Sequence, residues 1–239
     1  MYACGSGHTE TVLEMIPYAK PGDLEQALCW TAEKGHSQLI SALFEKSDVS
    51  PNATAEFRAL SINHVTGGAS ALMLAVGSLD PECVRILLEK GASVQQKEYS
   101  IKKRHRGLAR VANSHPTPNG RTPLHSIARI KEYSKAYNAA KSILDMLLAA
   151  GADLEAKDSE GNTPLLLTID NSSNYSVSMS LELLLSAGAD PGAIDSNGET
   201  ILHRACKSMV QTKAASLLLD YKAAVGQPRS SDGATPLHW

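Results

Sequence analysis

The sequence predicts an all-α solenoid of stacked helix-turn-helix units joined by short β-hairpin turns. Two recurring phrases and their spacing predict it. A turn-and-helix phrase appears as NGRTPLHSIA (119–128), EGNTPLLLTI (160–169), NGETILHRAC (197–206) and DGATPLHW (232–239). A helix-end phrase appears as LLEKGASV (87–94), LLAAGADL (147–154) and LLSAGADP (184–191). The turn glycines set the period: 41 residues from Gly120 to Gly161, 37 from Gly161 to Gly198 and 35 from Gly198 to Gly233. The excess is local. Leu124 to Gly151 is 27 residues, Leu165 to Gly188 is 23 and Leu72 to Gly91 is 19, so the shortest is the bare unit and the others carry insertions between its helices.

Each element of a unit has a physical reason. Asn119-Gly120 and Asn197-Gly198 form tight turns that need positive φ. Thr122 and Thr163 are helix N-caps, and Pro123 and Pro164 stand at the first helical position, where a missing N–H costs nothing. A short helix follows, then a polar break, then a second apolar helix such as CVRILLEKG. That helix carries Val84, Leu87 and Leu88 on one face and ends at the C-cap glycine Gly91. Two short helices cannot bury their apolar faces alone, whereas stacked copies can.

The order of turn, cap, Leu-His and Gly-Ala-Asp resembles the ankyrin repeat, whose pattern includes T-P-L-H-x-A at a period of about 33 residues. The resemblance covers nearly the whole chain and implies a single repeat domain over 1–239. A half unit is expected at 1–16, full units at about 24–50, 67–94, 119–155, 159–192 and 196–226, and a truncated unit at 231–239, with a basic insertion at 95–118. The 24–50 unit keeps Ala32, Gly35, His36, Leu39 and Leu43 but lacks the Thr-Pro start. Leu166 stands where His is usual, and Ile201 where Pro is usual. Both ends of the chain fall inside a unit, which reads as an excerpt of a longer array. Leu237 and Trp239 then have no second helix to cover them.

Composition excludes several classes. The chain has 239 residues, 43% hydrophobic and 20% charged, with a net charge of -2. That balance advertises neither a nucleic-acid nor a membrane partner. No apolar run reaches 18 residues, and MYACGSGHTE has no basic or apolar leader pattern. Cys4, Cys29, Cys83 and Cys206 lie far apart, without a C-x-x-C pair, and read as reduced thiols. The expected compartment is the cytoplasm, with the nucleus as the alternative, and the sequons at Asn52, Asn171 and Asn174 then carry no meaning.

No catalytic, cofactor or metal site is expected. His125, His203 and His238 each follow the same Leu and sit where the ring can bond turn backbone. Stacked helices lie about 8–10 Å apart, too far for neighbouring histidines to share a zinc ion at about 2 Å. His8 and His36 occupy the Gly-His break between helices. Cys4 and Cys206 fill a small packed position. No G-x-S-x-G, P-loop or H-E-x-x-H occurs.

The resemblance implies that function lies at the hairpin tips and the exposed face of each first helix, which together line a concave surface that grips another protein. The tip candidates are Asp158, Ser159, Glu160, Asn162, Ser196, Asn197 and Glu199. On the helix face they are Ser126, Arg129, Ile130, Leu167, Asp170, Arg204, Lys207 and Ser208. Trp30 and Trp239 follow the His position on that face, and tryptophan is enriched at binding hot spots. Trp30 reads equally well as packing on the neighbouring unit. In 95–118, Lys97, Lys102, Lys103, Arg104, Arg106 and Arg110 face one acid, Glu98. KKRHR fits a minimal nuclear-import pattern or a polyanion patch, and also a solvated loop. The expected function is a non-enzymatic scaffold, monomeric or part of a longer array, binding a protein partner. The alternatives are the targeting section of a larger enzyme or signalling protein, or polyanion binding through 97–110.

Overall fold

The computed structural model of the chain describes residues 4, 7–55, 68–100, 117–130, 136–170, 179–207, 212–230 and 232–238. The structure divides into two compact units, Met1–Pro123 and Leu124–Trp239.

Helices of the first unit are α1 (Thr9–Met15), α2 (Pro21–Lys34), α3 (Ser37–Lys46), α4 (Ala71–Ser78) and α5 (Pro81–Glu89). Their ends are capped by local chemistry. The Ser70 hydroxyl accepts from the Met73 N–H at 3.2 Å at the start of α4, and Asp80 accepts from the Glu82 N–H at 2.9 Å at the start of α5. α5 closes in a Schellman pattern at Gly91 (φ 88), where Gly91 N donates to Leu88 O and Ala92 N to Leu87 O. α2 packs on α3 and α4, α4 on α5, and α3 on α1 and α5. First helices thus form one layer and second helices another. Leu28, Leu39, Ile40, Leu43, Leu72 and Leu87 are fully buried between them, each worth about 1.5–3 kcal/mol relative to exposure.

Two antiparallel pairings occur among the described residues of this unit. Thr54 pairs with Ser70 in an isolated antiparallel bridge. The second joins β1 (Tyr99–Ser100) with β2 (Thr117–Pro118), Tyr99 opposite Pro118 and Ser100 opposite Thr117. Lys102, Lys103, Arg104 and Arg106 lie outside the described residues, as does Trp239.

In the second unit the helices are α6 (Pro123–Ile127), α7 (Tyr137–Ala149), α8 (Pro164–Asp170), α9 (Met179–Ser186), α10 (Ile201–Lys207) and α11 (Thr212–Asp220), followed by a 3₁₀ turn at Pro236–His238. Pro123 and Pro164 take the first helical positions, as the cap pattern requires. The Thr163 hydroxyl accepts from Leu166 N at 3.4 Å. α8 packs on α9 and α10, and α10 on α11 and the 3₁₀ turn. The Ser180 hydroxyl ties α9 to α6 by donating to Ile127 O at 2.7 Å. Leu124, Ile127, Ile143, Leu144, Leu147 and Leu165 form the buried core.

Candidate functional site

Three histidines are built into this framework. His203 accepts from Thr200 N at 3.2 Å through Nδ1, and its Nε2 donates to Ala234 O at 3.1 Å, one turn further along the chain. His125 likewise reaches Asn162 O at 3.1 Å. His238 holds its own turn, accepting from Thr235 N at 3.1 Å. Each ring therefore braces turn backbone, and His125 and His203 are fully buried while doing so. Among the described residues, no group of three or more His, Cys, Asp or Glu is placed to hold a metal ion.

Carboxylates lock the hairpin tips. Asp158 is buried, and its Oδ1 accepts from Glu160 N and Asn162 N, both at 2.9 Å. Asp195 repeats the arrangement one unit later, accepting from Asn197 N at 2.8 Å and Glu199 N at 2.9 Å. The turns also clasp each other. Ser196 donates from both its backbone N–H (3.2 Å) and its hydroxyl (2.6 Å) to Glu160 O. The Ser230 hydroxyl donates to Asn197 O at 3.1 Å. Gly198, at φ 76, lies so close to this next turn that a Cβ would stand 2.8 Å from Ser230 N.

Arg204 sits at the centre of a polar network. It donates to Asp195 Oδ2 and Asn162 Oδ1, both at 2.6 Å, and to Leu166 O at 3.2 Å. Burial pushes the Asp195 carboxyl up, but Arg204 and the two turn N–H groups outweigh it and hold it below the usual carboxylate range. Glu199 is also held low: burial opposes, and ion pairs with Lys207 and Arg229 prevail. Arg229 in turn pairs with Asp232.

These contacts sort the residues expected to meet a partner. Ser159, Glu160, Ser196, Asn197 and Lys207 are exposed, and Trp30, Ser126, Arg129, Glu199 and Arg204 are partly buried. Four expected surface residues are instead interior: Ile130 at 8% exposure, Asp158 at 7%, Leu167 at 3% and Asn162 at 2%. Leu167 lies within α8 and Ile130 just past the end of α6, and both are apolar side chains that the packing covers. Asp158 and Asn162 serve the turn backbone. Arg204, Glu199 and Lys207 spend charge on neighbouring turns. Asp195 and Arg229 escape a reading of tips alone. The signal for Asp195 was present, since a carboxylate stands three residues before the turn glycine in both DSEG and DSNG.

Two of the thiols are sealed in the core. Cys29 and Cys83 are fully buried. Burial, then the Glu25 charge, pushes the Cys29 thiol up to about 12. Burial and the Asp80 carboxylate push Cys83 up as well. Such thiols are poor nucleophiles at neutral pH.

No curated protein matches the chain. The family described as ankyrin repeats matches it in three copies, over residues 1–98, 133–208 and 172–239. The matched ranges include the turns at Asp158 and Asp195, His203 and the glycine-ended second helices, and the chain belongs to the ankyrin-repeat family.

Proposed function

We propose that this chain is a non-enzymatic scaffold that binds a partner protein through its hairpin tips and first-helix faces. Ankyrin repeats are generally protein–protein interaction modules, and no helix among the described residues is long and apolar enough to cross a membrane. One observation carries the reading. Ser159, Glu160, Ser196 and Asn197 stand exposed on turns whose backbone is already locked from within by Asp158 and Asp195. A surface held in advance loses little conformational freedom on binding, which favours affinity.

The experiment is affinity capture from lysate, followed by mass spectrometry. Replacing Ser159 and Asn197 with arginine in one chain is expected to remove a specific partner while leaving the melting temperature unchanged. Undiminished capture by that chain carrying Trp30→Ala as well sinks the proposal.

A second reading, polyanion binding through 97–110, is favoured by the burial of Glu98, the one acid of that stretch, at 5% exposure. It predicts affinity for heparin that falls steeply with salt and vanishes when Lys102, Lys103, Arg104 and Arg106 are neutralised. Binding indifferent to either change ends it.

A further inference from the structure

We propose that the face of α2 around Trp30 and Glu33, with Leu74 of α4 beside it, binds a partner segment that presents an arginine or lysine next to aliphatic side chains. This rests on the protein-binding reading above and names the chemistry of one part of that surface.

The residues flanking Trp30 in the chain are interior: Leu28, Cys29, Thr31 and Ala32 are each at 0% exposure. Trp30 breaks that run and is only partly buried. Glu33 follows at i+3, on the same side of the helix. It is partly buried, and its Oε2 is shielded from solvent with no hydrogen-bond partner among the described residues. Burial pushes its carboxyl up, and Lys34 opposes this only in part. Lys34 is adjacent in the chain, and on a helix adjacent residues do not face each other.

The neighbouring helix leaves room. α4 packs directly on α2, and repeat equivalence sets Leu74 against Trp30 and Gly77 against Glu33. Leu74 is partly exposed, and Gly77 is exposed with nothing among the described residues within 4 Å of where a Cβ would stand. On the hairpin side the face is closed, because Gln26 Nε2 donates to Thr54 O at 3.1 Å. The result is an apolar floor of Trp30 and Leu74 with a carboxylate at one end and open space across from it.

Charge complementarity decides the occupant. The Glu33 oxygen has lost its water and has gained no donor among the described residues, so a cation that reaches this carboxylate displaces no water from that oxygen, and only the cation's own hydration is left for the contacts to offset. A guanidinium or ammonium group supplies charge-assisted donors to it. The same cation is attracted to the face of the indole, the best aromatic partner for one. Its aliphatic stem, and an adjacent aliphatic residue, cover Leu74.

The test is selection from a random 12-residue peptide library on the whole chain, with affinities then measured for the enriched peptides. The expected result is a shared basic residue beside aliphatic ones. Binding should weaken at least tenfold in Glu33→Gln and in Trp30→Ala, and should remain unchanged in Glu45→Gln on the exposed side of α3. Glu33→Gln is isosteric, and an unaltered melting temperature shows that the helix still stands. No enrichment, enriched peptides without a basic residue, or peptides indifferent to Glu33→Gln each overturn the proposal. Any of these with lysate capture intact removes this chemistry and leaves the scaffold reading; loss of both removes both.

Discussion

At the residue scale, Lys222 is the clearest departure from the local rule. Gly91, Gly151 and Gly188 end three second helices at φ 88, 84 and 94, and Lys222 does the same work at φ 62. The hydrogen bonds are those of the glycine ends: Lys222 N donates to Leu219 O and Ala223 N to Leu218 O, both at 2.9 Å. A side chain in this left-handed conformation costs about 1 kcal/mol that glycine avoids. Lys222→Gly is expected to raise the melting temperature by about 2–4 °C in thermal denaturation. Cysteine reactivity is a second test at this scale. Cys29 and Cys83 are sealed and their thiols are pushed up, whereas Cys206 is only partly buried. Iodoacetamide at about pH 8 should label the native chain at Cys206 before either of the others, as peptide mass spectrometry would show.

At the scale of elements, the hairpin turns of the second unit are tied to one another as well as to their helices. Asp195 reaches two N–H groups of its own turn, and through Arg204 it reaches Asn162 on the turn before. A carboxyl held below its unfolded value stabilises the fold above that value, and the contribution disappears as pH falls through the depressed one. The native chain should therefore lose this contribution below about pH 4, the ordinary carboxylate value. Asp195→Asn keeps the turn acceptor and discards the charge facing Arg204. It is expected to destabilise the fold by about 1–3 kcal/mol at neutral pH and to show a shallower loss of stability on acidification, followed by urea denaturation at several pH values. An unchanged acid profile would assign that sensitivity to other carboxylates.

For the whole molecule, the repeat architecture makes damage local, because stacked units contact only their neighbours. His203 is the place to test this, since it ties its own turn at Thr200 to the following one at Ala234. His203→Ala strands buried donors and acceptors at a cost of about 2–3 kcal/mol. Hydrogen exchange is expected to show lost protection in α10 and α11 with protection in α2 and α4 retained. A uniform loss along the chain would mean one cooperative block instead.

Helix order, caps and the turn-bracing role of His125 and His203 were determined by the sequence itself, because short-range chemistry sets them. A Thr-Pro start, a Gly at positive φ and an apolar stripe act within a few residues, and the repeat prints each signal several times. What only the tertiary structure decided is which polar and apolar side chains remain available. Ile130 and Leu167 occupy positions the pattern treats as outward, yet they are covered. Arg204 reaches Asn162, 42 residues earlier. Glu33, spaced like any solvated helix residue, has a shielded oxygen with no donor among the described residues. Burial and pairing of this kind depend on what the next turn or helix brings alongside, and a single unit's sequence does not contain that neighbour.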